Sequence, residues 1–147
     1  MNDVPNVALL WRDLLAYHQD LGEKDVRPSV AAAEGRDFIR EHVGARDRIC
    51  LVAESGDETV GFLVGTLRKR SPAFGGWRYG HIYDVYVQGP QRRRGVGTAL
   101  VEEALRWFRR RGVRRVQLQV RAQNTAGIAF WRGLGFDDLA MTLELLL

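Results

Sequence analysis

The sequence predicts a mixed α/β protein of the α+β type, a central mixed sheet flanked by helices. Three strand-like runs, at about 48–54, 59–69 and 78–87, follow one another as a meander. After residue 87 the pattern changes to helix, strand, helix, the order that lays helices over a sheet. Before and after the meander, apolar residues recur at spacings of three and four, as amphipathic helices require.

Each element has a local cause. Residues 5–21 read as a helix opened by Pro5 and stopped at Gly22, with Leu10, Leu14, Tyr17 and Leu21 on one face. Pro28-Ser29 opens a second helix through about Val43, with Phe38 and Ile39 turned inward and Gly44 as its stop. Ser55-Gly56-Asp57-Glu58 has turn composition and joins the first two strands as a hairpin. A Pro/Gly-rich stretch from Ser71 to Trp77 leads to the third. A turn holding Gly95 and Gly97 then enters a helix whose stripe is Leu100, Val101, Ala104, Leu105 and Phe108, ended at Gly112. Val116, Leu118 and Val120 alternate as a strand over 114–120. Asn124 opens a short helix that Gly133 and Gly135 stop, and 138–146 reads as a last strand. With no repeat and no low-complexity linker, 1–147 reads as a single domain.

Composition narrows the function. At 46% hydrophobic and 27% charged residues the chain is neither disordered nor membrane-like. Of its 22 basic residues only Lys24 and Lys69 are lysines. The arginines are spread along the chain rather than blocked, which reads as codon bias from a GC-rich genome and not as a nucleic-acid footprint. One cysteine excludes an internal disulfide, and Cys50, between Ile49 and Leu51-Val52, reads as a core residue. Three histidines form no metal-ligand cluster, so no metal is expected. The start, Met1-Asn2-Asp3, has no signal-peptide character, and no apolar run is long enough to span a bilayer. The expectation is a soluble cytoplasmic protein without a membrane or nucleic-acid partner.

The most informative segment runs from Tyr83 through the arginines 92–94 and the glycine turn to Leu100. A strand enters a turn without side chains at two alternate positions, and the turn enters a helix. Missing Cβ atoms let backbone approach a ligand, while the free N–H groups of the first helical turn carry partial positive charge. That arrangement suits phosphate, although a glycine pair before a helix is equally a tight turn. No Gly-Lys-Ser/Thr occurs, which excludes a Walker-type loop. A dinucleotide fingerprint would need Gly or Ala where Leu100 stands.

Arg92-x-x-Gly95-x-Gly97, directly after Val85-Tyr86-Val87, resembles the acetyl-CoA signature of the GNAT superfamily of N-acetyltransferases. About 30 residues on, Asn124-x-x-x-Ile128-x-Phe130-Trp131-x-x-Leu134-Gly135-Phe136 is similar to that family's later motif. The resemblance covers residues 48–146, with the N-terminal helices fitting by pattern. It implies a GNAT fold in which strands 78–87 and 114–120 splay apart. The pantetheine arm of acetyl-CoA, the expected cosubstrate, would pair with backbone of Val85 and Val87, beside Tyr86. Arg93, Arg94, Gly95, Val96, Gly97 and Thr98 would wrap the pyrophosphate, and at least one of the three arginines, Arg92 included, would touch it. Asn124 would bond the pantetheine side. A homodimer follows from family habit.

The implied reaction, direct acetyl transfer to an amine of a small molecule or peptide, needs a neutral amine, a stabilised oxyanion and a protonated leaving thiolate. A bulge near Val85 would free a backbone N–H for the oxyanion. For the base, Asp84 and His81 are the candidates. Asp84 is a charge in an apolar run, which marks either function or a paired structural charge. For the acid, the family's usual Tyr is Trp131 here, and an indole cannot serve. Tyr83, Tyr86 or water remain. Expelling a thiolate of pKa near 8.5 costs only about 2 kcal/mol at pH 7, so a dedicated acid is dispensable. Trp131 is instead expected to pack against the cofactor arm or the core. Phe74, Trp77 and Tyr79 are candidates for an acceptor wall, with surface packing as the equal reading, and Trp11, Tyr17 and His18 would border the acceptor. A non-catalytic acyl-CoA-binding module is the rival reading, and a nucleic-acid binder resting on charge alone is a third.

Overall fold

A computed structural model of the chain describes residues 3–147, those of 28–33 by backbone alone. The Met1-Asn2 start lies outside the described residues. The elements run α1 (Val4–Asp20), α2 (Pro28–His42), β1 (Arg48–Ser55), β2 (Glu58–Lys69), β3 (Arg78–Val87), α3 (Val96–Arg110), β4 (Val116–Leu118) and α4 (Thr125–Gly133). The sheet has the order β1-β2-β3-β4, antiparallel across the first three strands and parallel between β3 and β4. The expected mixed sheet flanked by helices is what forms.

β2 explains the layering. Val60 through Thr66 is buried at every position, as in a strand covered on both faces. Leu63 joins Ile49, Ile82 and the α3 stripe Leu100, Val101, Ala104 and Phe108 on one face. Phe62 and Val64 join Val7, Leu10 and Leu14 of α1 and Ile39 of α2 on the other. The sheet is therefore sandwiched between α1/α2 and α3. Phe108 is fully buried, which is worth about 1.5–3 kcal/mol. Its seat is Gly80, where any Cβ would stand 2.6 Å from the ring. Cys50 packs with the α1/α2 cluster, and burial pushes its thiol up to about 11. It is a half-buried residue packed against that core.

Three expectations are corrected. The strand read over 114–120 pairs only at Val116–Leu118. The strand read over 138–146 does not form, and residues 137–147 run without regular structure and exposed. Its alternation is real, but a strand exists by backbone pairing, and no described segment pairs with its backbone. The bulge falls at Tyr83 rather than near Val85, because Val64 faces Asp84 while Gly65 faces Ile82.

Two of these shifts position the site. β3 and β4 part after the pair Ile82–Leu118, so residues 83–87 run on without a strand along that edge. That is the splay the resemblance implies. The extra residue at the bulge breaks the side-chain alternation and brings Tyr83 and Asp84 to the same α1/α2 side.

Candidate functional site

The turn after β3 is built as an anion cradle. Arg93 (φ 61°) and Gly95 (φ 79°) both adopt the left-handed conformation, and Gly95 caps α3. The first intrahelical bond joins Ala99 N–H to Gly95 carbonyl at 2.9 Å. The N–H groups of Val96, Gly97 and Thr98 are left for a ligand at the positive end of the helix dipole. Nothing stands within 4 Å of a Cβ placed on Gly95, so the approach is open. Among the described residues no carboxylate pairs with Arg93 or Arg94, which are exposed. Elsewhere arginines are engaged: Arg106 and Arg110 with Glu103, Arg132 with Asp138, and Arg48 with Glu41. The cradle fits a phosphate-bearing cofactor.

Arg92 has other duties. Its Nε donates to the Val87 carbonyl at 2.9 Å. Its guanidinium lies 5.2 Å from the Tyr17 ring and 5.3 Å from the Tyr86 ring. It ties α1 to the end of β3, and the Val87 carbonyl expected to meet the cofactor arm already holds one bond.

Asn124 caps α4: its Oδ1 accepts from Gly127 N–H at 2.9 Å, while the Tyr17 hydroxyl lies 3.4 Å away. Its Nδ2 has no partner among the described residues. Trp131 packs edge-on against Phe130 and Phe136, with ring centres 4.9 and 5.2 Å apart, in the cluster below α3. This core packing is one of the two roles expected for it.

The candidate bases separate. The Asp84 carboxylate accepts from Trp11 Nε1 at 3.2 Å. Burial raises its pKa, and the Trp11 bond and nearby His18 oppose the rise only in part. It keeps a partly exposed surface, so the group is both more basic than an ordinary carboxylate and reachable. His81 points into a different cluster, with Tyr83, whose ring lies 4.8 Å away. Phe38 and His42 of α2 close that cluster, and the Tyr83 hydroxyl accepts from Arg68 at 3.0 Å. Burial and the Arg68 charge push His81 down to about 4, leaving a neutral, feeble base.

That depression has a stability consequence. Folded His81 binds its proton less tightly than the unfolded chain does, so its contribution is whole above pH 6.5 and is lost as pH falls from 6.5 towards 4. The loss is at most about 3 kcal/mol, less because the ring is half open to solvent. His81→Asn is expected to flatten the fall in thermal midpoint between pH 7 and pH 5. An unchanged slope would show that another group titrates.

One grouping has no sequence signal. Glu23, in the loop after α1, lies 2.7 Å from His18 Nδ1, close though not aligned as a hydrogen bond, and pairs with Arg121 of the loop before α4. These residues link the loop after α1 to the loop before α4, as Tyr17 and Asn124 link α1 to the start of α4. Phe74, Trp77 and Tyr79 stand apart from this grouping. Trp77 meets Tyr79 at 5.4 Å and is covered by Arg70 and Arg115, which favours surface packing.

No helix among the described residues is long and apolar enough to cross a membrane, and they hold no cluster of three metal-ligating side chains.

Comparison with known proteins agrees with this geometry. A mycothiol acetyltransferase of Amycolatopsis mediterranei is 36% identical over 121 residues, 82% of this chain and 38% of its own. An N-alpha-acetyltransferase of Sulfurisphaera tokodaii is 28% identical over 109 residues, 69% of this chain and 64% of its own. The chain spans about two fifths of the length of several curated relatives. Among solved structures, a Bacillus halodurans protein superposes with a TM-score of 0.86 at 21% identity, covering 99% of this chain and 94% of that one. An aminoglycoside N-acetyltransferase in complex with CoA superposes with a TM-score of 0.68 at 20% identity, covering 92% and 85%. The profile of the acetyltransferase (GNAT) family matches residues 9–136, taking in all four strands, the cradle and the Asn124 helix, and the chain belongs to that family.

Proposed function

We propose that this chain is an N-acetyltransferase, moving an acetyl group from acetyl-CoA directly to a primary amine of a small molecule or peptide. The observation that carries the reading is one juxtaposition: the cradle at Gly95–Thr98 ends the same strand that presents Asp84 beside an unpaired edge. The names of the relatives support an amine acceptor. One is named a mycothiol acetyltransferase, and another, from Escherichia coli, a ribosomal protein bS18 alanine N-acetyltransferase.

Acetyl-CoA, when bound, supplies the activated acyl thioester. Val96, Gly97 and Thr98 hold its pyrophosphate through backbone N–H groups, with Arg93 and Arg94 adding charge. Asn124 offers its free Nδ2 to the pantetheine side. Backbone at the Tyr83 bulge and Val85, unpaired along that edge, provides the donor for developing oxyanion charge. Asp84 accepts the proton of the incoming ammonium, directly or through water. Neither Tyr83 nor Tyr86 takes the acid's place: Tyr83 is held by Arg68, and the Tyr86 ring flanks Arg92. The leaving thiolate therefore takes its proton from water, at the modest cost set by its pKa. The reading extends to a single domain acting as a homodimer in the cytoplasm, a setting that suits one lone, unpaired cysteine.

Release of free CoA thiol against a panel of amines tests this. Peptides with free α-amino groups and small primary amines are expected to raise the rate above background hydrolysis. If CoA binds and no amine, peptide or amino sugar raises it, the chain is an acyl-CoA-binding module.

A further inference from the structure

Arg68, near the end of β2, is exposed, and among the described residues no carboxylate pairs with it. Residues 59–83, which supply most of β2 and β3, contain no Asp or Glu. The guanidinium is nonetheless held in place. Its Nη2 donates to the Tyr83 hydroxyl at 3.0 Å, and the group lies 5.2 Å from the centre of the Tyr83 ring. The Tyr83 bond, with weaker help from Tyr79, raises its pKa further, so the charge is permanent. Ordering a long side chain costs rotamer entropy. Here the cost leaves a fixed cation with most of its N–H donors uncommitted.

Its position relative to Asp84 gives that cation a use. The bulge brings Tyr83 and Asp84 to the same side of the sheet. A continuous wall then joins the base to Arg68. Asp84 meets Trp11 at 3.2 Å, and Trp11 stacks on Phe38 with ring centres 5.9 Å apart. Phe38 meets Tyr83 edge-on at 5.6 Å, where Arg68 begins. Neighbouring Cα atoms are about 3.8 Å apart, and the length of a tyrosine side chain sets the cation roughly 10 Å from the carboxylate. An extended peptide covers that span in about three residues. An α-amine delivered to Asp84 would bring the side chain of its second or third residue to Arg68.

Shape and charge select that side chain. A planar guanidinium matches a carboxylate with two parallel bonds. A nucleic acid also carries negative charge, but single strands bind by stacking bases on open aromatic faces. The Tyr83 ring is hemmed in by Arg68, Phe38, His42 and His81. Trp77, farther along, lies under Arg70 and Arg115.

We propose that the acceptor is a peptide amino terminus with an acidic side chain at its second or third residue, and that Arg68 selects it by pairing with that carboxylate. This rests on the acetyl-transfer reading for its chemistry, whereas the pairing itself is open to a binding measurement.

Three amidated peptides test it: Ala-Glu-Glu-Ala, Ala-Gln-Gln-Ala and Ala-Arg-Arg-Ala. Each is assayed for release of CoA thiol and titrated calorimetrically into the CoA-loaded chain. Wild type is expected to use the glutamate peptide with a kcat/KM about tenfold above that of the glutamine peptide, the size of one charge-assisted contact. In Arg68→Gln the ratio is expected to fall to within about twofold of unity, and in Arg68→Glu the arginine peptide is expected to overtake the glutamate peptide. Both variants alter an exposed side chain and are expected to fold, and a merely structural role for Arg68 would not reverse the preference. Equal use of the glutamate and glutamine peptides by wild type overturns the inference and leaves acetyl transfer standing. So does a preference that survives in Arg68→Gln. If no peptide is acetylated, the acetyl-transfer reading to peptides fails, and the affinities decide: the same order among the three proteins sustains the pairing, and equal affinities overturn it. Tighter binding of a single-stranded RNA than of the glutamate peptide, lost in Arg68→Gln, overturns it in favour of a nucleic acid.

Discussion

Asp84→Asn is expected to lower turnover by about 10²–10³-fold while CoA affinity stays within twofold. Asparagine keeps the volume of the side chain, and its carbonyl oxygen still accepts from Trp11 Nε1, so the 3.2 Å contact survives. What is lost is proton acceptance. The size of the loss reports on the acceptor. Neutralising a lysine-like amine at pH 7 costs about 4–5 kcal/mol, an α-amino group only about 1, so an α-amine substrate should suffer least. The pH profile adds a second readout. Burial raises the Asp84 pKa, so the acid limb of kcat/KM should lie above the range of an ordinary carboxylate and vanish in the variant. Stability moves oppositely. The folded state binds this proton more tightly than the unfolded chain, so Asp84 contributes most at low pH and the contribution is lost as pH rises through the raised pKa. The variant should therefore be no less stable than wild type at pH 8. Steady-state rates at saturating acetyl-CoA, with calorimetric CoA titration, check the outcome; undiminished turnover removes Asp84 as the base.

Much of this protein is legible in its sequence because much of it rests on local chemistry. Asn124 reads as a helix opener because its side chain bonds a backbone N–H three residues on, and it does. The α3 stripe reads as a helix face because Leu100, Val101, Ala104 and Phe108 recur with the helical period, and all four are buried. Pairings between distant segments are not legible in this way. The Tyr83 bulge depends on the register of β3 against β2, and nothing local to Ile82-Tyr83-Asp84 specifies one extra residue there. Trp11 and Asp84 are 73 positions apart, and their bond arises only once α1 packs across the sheet. The same applies to Glu23, which meets Arg121 from a loop without periodicity. The tail shows the converse. Its alternation satisfies every local test for a strand, yet 137–147 forms none, because strand formation needs a neighbour's backbone. Arg92, read from its motif as a candidate phosphate contact, is held by a carbonyl five residues back and two tyrosine rings.

Gly97→Glu is expected to weaken CoA binding by at least 100-fold with the fold retained. A Cβ on Gly97 would stand 3.4 Å from Phe130 Cζ and 3.8 Å from Val87 Cγ2, which is contact without severe overlap. The position is helical, outside the left-handed region, so a side chain there is tolerated by the backbone. The rest of the glutamate must then extend from the first turn of α3. It occupies the space the pyrophosphate needs and sets a negative charge against it, at the end of the helix where the dipole otherwise favours an anion. A 100-fold loss corresponds to about 2.7 kcal/mol, within reach of a charge-assisted contact removed and a like-charge repulsion added. Gly97→Ala separates the two causes, since it adds only the Cβ: affinity within about threefold of wild type would assign the loss to the carboxylate, whereas an equal loss would assign it to Phe130 being displaced. Titration of CoA by calorimetry, with far-ultraviolet circular dichroism as the check on folding, decides the matter. Unchanged affinity in a folded Gly97→Glu protein would place the phosphate site somewhere other than the turn between β3 and α3.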